Sequence, residues 1–328
     1  LKLRGILIMK NSSLYYSVGA LLYCPAVNGS IADSIINERF GKNYSLALCL
    51  EDTINDSFVE KAQMLLCASI EKIYNAFIKT EFYQPKIFIR VRNPKQMLSV
   101  YKRLGEAAGI VSGFIAPKFS PVNSADYINI LTDINLMSKK PLYLMPIYES
   151  MTLVNLKTRF DILYELKEQL DNAGEMILNI RVGGNDLCHI FGFRRNDNES
   201  IHMIGAISRI FADIITVYGP EYVVSGPVWE YFDGKGWEQG MKKEIADDKL
   251  CGFIGKTVIH PKQIEVVNAA YSVSRKDYEA AYAVMNWDKK SNTLVSADHM
   301  GERMDERNTH TNWAEKIMFL SEIYGIRD

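Results

Sequence analysis

A chain of 328 residues, 48% hydrophobic and 23% charged, has the composition of an ordinary globular protein, with enough apolar material for a large core without staples. Its 38 Lys and Arg residues almost cancel 39 Asp and Glu, leaving a net charge of −1 with no long single-sign run. That balance argues against a general electrostatic affinity for nucleic acid or an anionic membrane. No apolar run reaches the roughly 18 residues that span a bilayer. The run Gly5–Met9 falls short of the roughly 7–15-residue core of a secretory signal, so none is expected and Met9 is a candidate start. Cys24, Cys49, Cys67, Cys188 and Cys251 form no CxxC pair. The pattern fits buried thiols in a reducing cytoplasm rather than a disulfide framework or zinc site.

Short apolar runs bounded by Pro, Gly or Asn alternate with longer amphipathic stretches along most of the chain. Ala20–Tyr23 is the first predicted strand, stopped by Pro25, and Ser45–Leu50 is the second. Ser57–Lys79 follows as a helix, with Leu65, Leu66, Ile70, Ile73 and Phe77 in a 3.6-residue stripe. Ile87–Val91 is the third strand, and Pro94–Ala107 begins on proline, the favoured first helical residue. Ile110–Ala116 and Pro141–Ile147 are the fourth and fifth strands, and Ser150–Leu170 is a helix. Met176–Val182 is the sixth strand, ended by Gly183-Gly184, and Ser200–Tyr218 is a helix. Tyr222–Val224, the weakest strand, and Gly252–Ile259 complete eight, before a helix over Pro261–Tyr282.

Eight strand–helix units predict a parallel α/β sheet, and eight is the number that closes a (β/α)8 TIM barrel. An open doubly wound sheet is the competing architecture. The turn after the first strand, Cys24–Ser30, carries none of the glycine-rich phosphate pattern which that fold favours. The expected division is a barrel over 1–286 and a C-terminal helical extension over 287–328, packing on the barrel or on a neighbouring subunit. Thr311–Tyr324 is its helix, and Trp313, Ile317, Phe319, Leu320 and Tyr324 would serve either intrachain packing or a homo-oligomer.

Charge placement carries the functional signal. Burying an ionised group is costly unless it is paired or binds a metal, and parallel barrels place active sites at the C-terminal strand ends. Glu51 and Asp52 follow strand two, Arg90 lies inside strand three, Lys118 follows strand four, Glu149 strand five, Asp186 strand six and His260 strand eight. Any one of them is compatible with a solvated strand end, and Asp186 with a helix N-cap. Glu149 and Asp186 come from adjacent strands and form a hard oxygen pair suited to Mg²⁺, or Mn²⁺, with retained waters. Gly183 and Gly184 would let the backbone approach a ligand. Arg90 would offer a planar fork to a carboxylate, and Lys118 and Glu51 would pair beneath it. A metal held there supports carbon–carbon bond chemistry next to a carbonyl.

Leu50-Glu51-Asp52, Ile89-Arg90-Val91, Ala116-Pro117-Lys118, Pro146–Ser150, Gly183-Gly184-Asn185-Asp186-Leu187 and Ile259–Ile264 occur in one order. From Leu21 to Asn268 the set resembles the citrate lyase beta subunit and malyl-CoA lyase group of the HpcH/HpaI aldolase superfamily. His310–Glu315 and Tyr324-Gly325 are similar to a citrate-lyase-like branch of C–C bond lyases associated with tellurium-resistance and stress gene clusters. The resemblance implies a phosphoenolpyruvate/pyruvate-type barrel and a Mg²⁺-dependent lyase acting on an oxo or hydroxy acid, with an acyl-CoA or acyl-carrier thioester as partner substrate. It implies Glu149 and Asp186 as metal ligands. Arg90, Glu51, Asp52 and Lys118 become the catalytic group, with Arg90, Gly184, Asn185 and His260 as substrate contacts. Three positions depart from the family pattern: Cys49 stands where Asp is usual, Cys24-Pro25-Ala26 replaces Val-Pro-Gly, and Glu149-Ser150 replaces Glu-Thr. These departures bear on thioester binding. They keep open a noncatalytic binding protein on a retired barrel, or a biosynthetic enzyme of another type. In some relatives an acid comes from a neighbouring subunit's tail; Asp298 and Asp305 occupy the comparable region.

Overall fold

The computed structural model describes residues 11–288, 291–298 and 301–328. The Gly5–Met9 run and Lys289–Lys290 lie outside the described residues. Eight parallel strands form the core: β1 (Ala20–Pro25), β2 (Tyr44–Cys49), β3 (Lys86–Arg90), β4 (Val111–Ala116), β5 (Tyr143–Tyr148), β6 (Ile180–Val182), β7 (Val224–Ser225) and β8 (Lys256–Val258). They neighbour one another in the order β7-β6-β5-β4-β3-β2-β1-β8. A bridge between Gly226 and Lys256 joins the two ends, backed by Ile254 N donating to Val224 O at 2.8 Å and Gly226 N to Gly255 O at 3.0 Å. The sheet is therefore a closed barrel and not the open alternative. All eight strands overlap the apolar runs, because strands covered on both faces need no alternation, although β6 and β8 are shorter than their runs and β7 shares only Val224 with its own; every residue of β2 is buried.

The helices are α1 (Ser13–Tyr16), α2 (Ile31–Ile36), α3 (Val59–Phe77), α4 (Pro94–Leu104), α5 (Ser124–Met137), α6 (Arg159–Ala173), α7 (Gly184–Phe191), α8 (Gly205–Tyr218), α9 (Trp237–Cys251) and α10 (Lys262–Tyr271). The α3 stripe turns Leu66, Ile70 and Ile73 inward, while Phe77 at its end is exposed. Asn93 caps α4 by accepting from Gln96 N at 2.9 Å, ahead of Pro94 in the first turn. Two expectations need correction. The helix predicted from Ser150 starts at Arg159, after a 3-10 turn at Met151–Leu153; the buried Arg159 holds that loop by binding Leu153 O and Asp213. The helix predicted over Pro261–Tyr282 is two helices. The chain turns extended at Ser272, and β9 (Val273–Ser274) precedes α11 (Arg275–Met285), whose N-cap Ser274 accepts from Asp277 N.

The remainder comprises β10 (Val295–Ala297), β11 (Met304–Glu306), α12 (Arg307–Tyr324) and β12 (Ile326–Arg327). β12 pairs with β9, and α12 packs along α11, which lies on the barrel side of the expected boundary at 287. The tail's apolar residues pack within the chain. Ile317 and Leu320 are buried, Phe319 meets Tyr16 at 5.2 Å between ring centres, and Tyr324 stacks on Tyr271 at 5.5 Å. Gly255, at φ +73°, lets β8 start flush against β1: a Cβ there would lie 2.7 Å from Gly19 O. All five cysteines are free, and Cys251, expected buried, is exposed on the last turn of α9. Among the described residues no helix is long and apolar enough to cross a membrane.

Candidate active site

The turn after β2 carries Glu51 and Asp52. Arg92, just past β3, fixes that turn by donating Nε to Leu50 O at 2.8 Å and Nη1 to Asp56 at 2.5 Å. Arg90, the last residue of β3, is 8% exposed. Its Nη2 faces three carboxylates: Glu51 Oε2 at 2.6 Å, Asp52 Oδ2 at 2.7 Å and Glu149 Oε1 at 3.3 Å. Its guanidinium also lies over the Tyr23 ring at 5.8 Å. The fork expected to await a substrate carboxylate therefore has one arm committed to the protein's own acids, while Nε is buried without a partner.

Lys118 follows Ala116-Pro117 with φ +49°, in the left-handed region that few side chains adopt. This turn aims two groups at once. Its backbone N–H donates to Glu149 Oε1 at 3.0 Å, and its ammonium reaches Glu51 Oε1 at 2.6 Å and Asp52 Oδ1 at 3.0 Å. The expected Lys118–Glu51 pair is thus present. Neither Lys118 nor Glu51 is on the cavity wall.

Glu149, 3% exposed, follows β5 directly. Burial pushes its carboxyl up to about 8; the Asp186 and Glu51 carboxylates add to the rise, and Arg90 and the Lys118 N–H oppose it. Gly183 explains how the carboxylate fits: a Cβ there would lie 2.1 Å from Glu149 Oε2 and 2.4 Å from its Cβ. Gly183→Ala is accordingly expected to displace Glu149 and to destabilise the fold by about 1–3 kcal/mol, read by thermal denaturation. Unchanged stability would mean that the strand end yields freely.

Asp186 is the third residue of α7 and not its cap; Gly183 holds the cap position, and no side chain caps the helix. Glu149, Asp186, Asn185, Gly184, Arg90 and Asp52 line one cavity of about 430 Å³. His260 is not brought to it. The turn after β8 carries the imidazole outward to stack on Phe232, with ring centres 4.8 Å apart, and its Nδ1 accepts from Lys262 N at 3.2 Å. Ile259 lines the cavity instead. Asp298 and Asp305 are buried in the tail, where Asp298 accepts from Glu302 N at 2.9 Å; neither lines the cavity. Sequence reasoning missed Tyr23, Arg181, Arg194, Glu230 and Thr257, all of which line it.

A family model described as C–C bond lyase of the TIM-barrel fold matches residues 12–326. The chain belongs to this family. A solved structure of a citrate lyase from Burkholderia xenovorans LB400 superposes with a TM-score of 0.70 at 13% identity, covering 94% of this chain and 93% of that one. CitE from Mycobacterium tuberculosis, solved with magnesium, acetoacetate and coenzyme A, gives 0.60 at 17% identity, covering 94% and 100%. Curated (3S)-malyl-CoA thioesterases of Cereibacter sphaeroides are 43% identical over 44 residues, 13% of this chain. That match spans only about 15% of their own length.

Proposed function

We propose that the protein is a Mg²⁺-dependent lyase that makes or breaks a carbon–carbon bond beside the carbonyl of an oxo or hydroxy acid, with an acyl thioester as the partner substrate. The observation that carries this reading is Glu149 and Asp186 lining one cavity at the ends of adjacent strands. The donor set fits the ion. Both donors are carboxylates, no His or Cys is among the described residues lining the cavity, and Gly183 leaves room for Glu149 Oε2. Among the described residues no three His, Cys, Asp or Glu side chains are gathered to hold a metal unaided, so water and substrate oxygens would complete the shell. Mg²⁺ bound there supplies Lewis-acid stabilisation of negative charge on a carbonyl oxygen.

The chain's own residues do the positioning. Glu51 and Asp52 hold the Arg90 guanidinium against the cavity, where its free edge orients a substrate carboxylate. Lys118 neutralises the acids behind it, and burial of Glu149 limits solvent at the reacting end. Titrating the protein with Mg²⁺, and assaying oxo acids with acyl-CoA thioesters for bond cleavage and formation, tests the reading. Metal-dependent turnover of at least one pair is expected; binding without turnover across the panel would overturn it.

The reading also sets a pH dependence. Because Glu149 holds a proton up to about pH 8 and a ligand must be ionised, Mg²⁺ affinity should rise about tenfold per pH unit up to about 8 and level off above. Calorimetry at pH 6, 7, 8 and 9 reads this directly. A flat profile would mean that Glu149 is not the group that loses a proton when the metal binds.

A further inference from the structure

Five cationic side chains are buried among the described residues: Arg90, Arg159, Arg181, Arg195 and Lys256. Four have carboxylates beside them. Arg90 has three, Arg159 has Asp213 at 2.6 Å, Arg195 has Glu244 at 3.4 Å, and Lys256 has Glu244 at 2.9 Å and Asp248 at 2.6 Å. Arg181, 1% exposed on β6, has no carboxylate within ion-pairing distance among the described residues. Its Nη2 donates to Thr257 Oγ1 at 2.6 Å, its Nη1 reaches Asn179 Oδ1 at only 3.4 Å, and its Nε is buried without a partner. The Tyr23 phenol interacts with it and partly offsets the effect of burial, which still holds the guanidinium below its ordinary value. Arginine cannot shed its charge to escape burial, so such a group is retained at a cost unless an anion joins it.

Arg181, Tyr23 and Thr257 line the same cavity as Glu149 and Asp186. Arg181 pairs with Ile147 across β5 and β6, two residues before Glu149 and Gly183 along their strands. At about 3.3 Å per residue this sets its backbone roughly 6.6 Å deeper in the barrel. The cavity therefore has acids at its mouth and an uncompensated cation beneath them. We propose that Arg181 receives a second anionic group of the substrate, a carboxylate directed down the barrel axis from the end held at Glu149 and Asp186. Thr257 fixes one guanidinium arm, Asn179 makes only a long contact to the other, and Nε has no partner, so a carboxylate would complete the set. The substrate is then an oxo or hydroxy acid with two carboxylates. The inference rests on the lyase reading above.

Calorimetry in Mg²⁺ with oxaloacetate and pyruvate, which differ by the distal carboxylate, tests it on wild type and Arg181→Met. Wild type should bind oxaloacetate roughly 100-fold more tightly than pyruvate, the scale of truncating one partner of a buried charge pair. In R181M the preference should fall below about threefold, with pyruvate affinity retained. Its melting temperature should be unchanged or higher, because an apolar chain replaces a cation without an internal partner; a merely structural arginine would lower the melting temperature and leave the preference intact. A folded R181M that keeps the preference overturns the inference and leaves the lyase reading standing. So does a wild type that binds both acids equally with Mg²⁺, a result that needs no variant. A wild type that binds neither Mg²⁺ nor either acid overturns both.

Discussion

Glu149→Gln should lower Mg²⁺ affinity by more than about 100-fold, beyond the roughly 10–100-fold typical of losing a group that only orients a ligand. Turnover should fall by about 10³-fold or more, the upper scale for removing one electrostatic contact from a transition state. The substitution isolates the charge. Gln Oε1 can still accept from Lys118 N and Arg90 Nη2, so the hydrogen bonds that seat the side chain persist. Gln adds no heavy atom at the Oε2 position, where Gly183 leaves little room. The fold should therefore be intact, with a melting temperature close to wild type, while calorimetry shows no metal uptake. Wild-type Mg²⁺ affinity in this variant would remove Glu149 from the site. Asp186→Asn should weaken binding less than Glu149→Gln, because Asp186 is only partly buried in the first turn of α7.

The barrel was legible because its strands are covered on both faces. Continuous apolar runs such as Ser45–Leu50 and Ile87–Val91 need only a count to suggest closure. The interrupted helix over Pro261–Tyr282 was not legible from its own pattern. Val273–Ser274 is drawn out of the helix by pairing with Ile326–Arg327, more than fifty residues away; the local clue was the Ser274–Asp277 capping pair. At the site, strand ends could be read but side-chain direction could not. Asp52, Arg90, Glu149 and Asp186 share the cavity, whereas the left-handed turn at Lys118 sends its side chain back towards Glu51, and His260 turns outward onto Phe232. Arg181 sits one residue before the end of the apolar run Met176–Val182, as Arg90 does in Ile87–Val91, so the same signal, a charge inside a buried strand, was present at both.

Lys256→Met should cost about 3–5 kcal/mol, the scale for removing one partner from a buried ion pair, and should lower the melting temperature by roughly 4–7 °C. Lys256 is fully buried at the start of β8 and donates to Glu244 Oε1 at 2.9 Å and Asp248 Oδ2 at 2.6 Å, both on α9. Met matches its length but leaves two fully buried carboxylates short of a donor. Glu244 keeps Ile201 N at 2.8 Å and Arg195 at 3.4 Å, and Asp248 keeps His202 at 2.7 Å. The damage should concentrate at the seam. β7 is only two residues long, and the Gly226–Lys256 bridge joins it to β8. A Cβ on Gly226 would lie 2.8 Å from Asp248 Oδ2, so the same carboxylate that binds Lys256 packs against the closing backbone. Thr257, the anchor of Arg181, is the next residue along β8. Hydrogen exchange should therefore show the amides of 224–226 and 254–258 losing protection before the rest of the barrel. If the variant melts like wild type with the seam still protected, the buried triad contributes nothing to closure, and the neighbouring apolar residues Val224, Ile254 and Val258 must hold the barrel shut on their own.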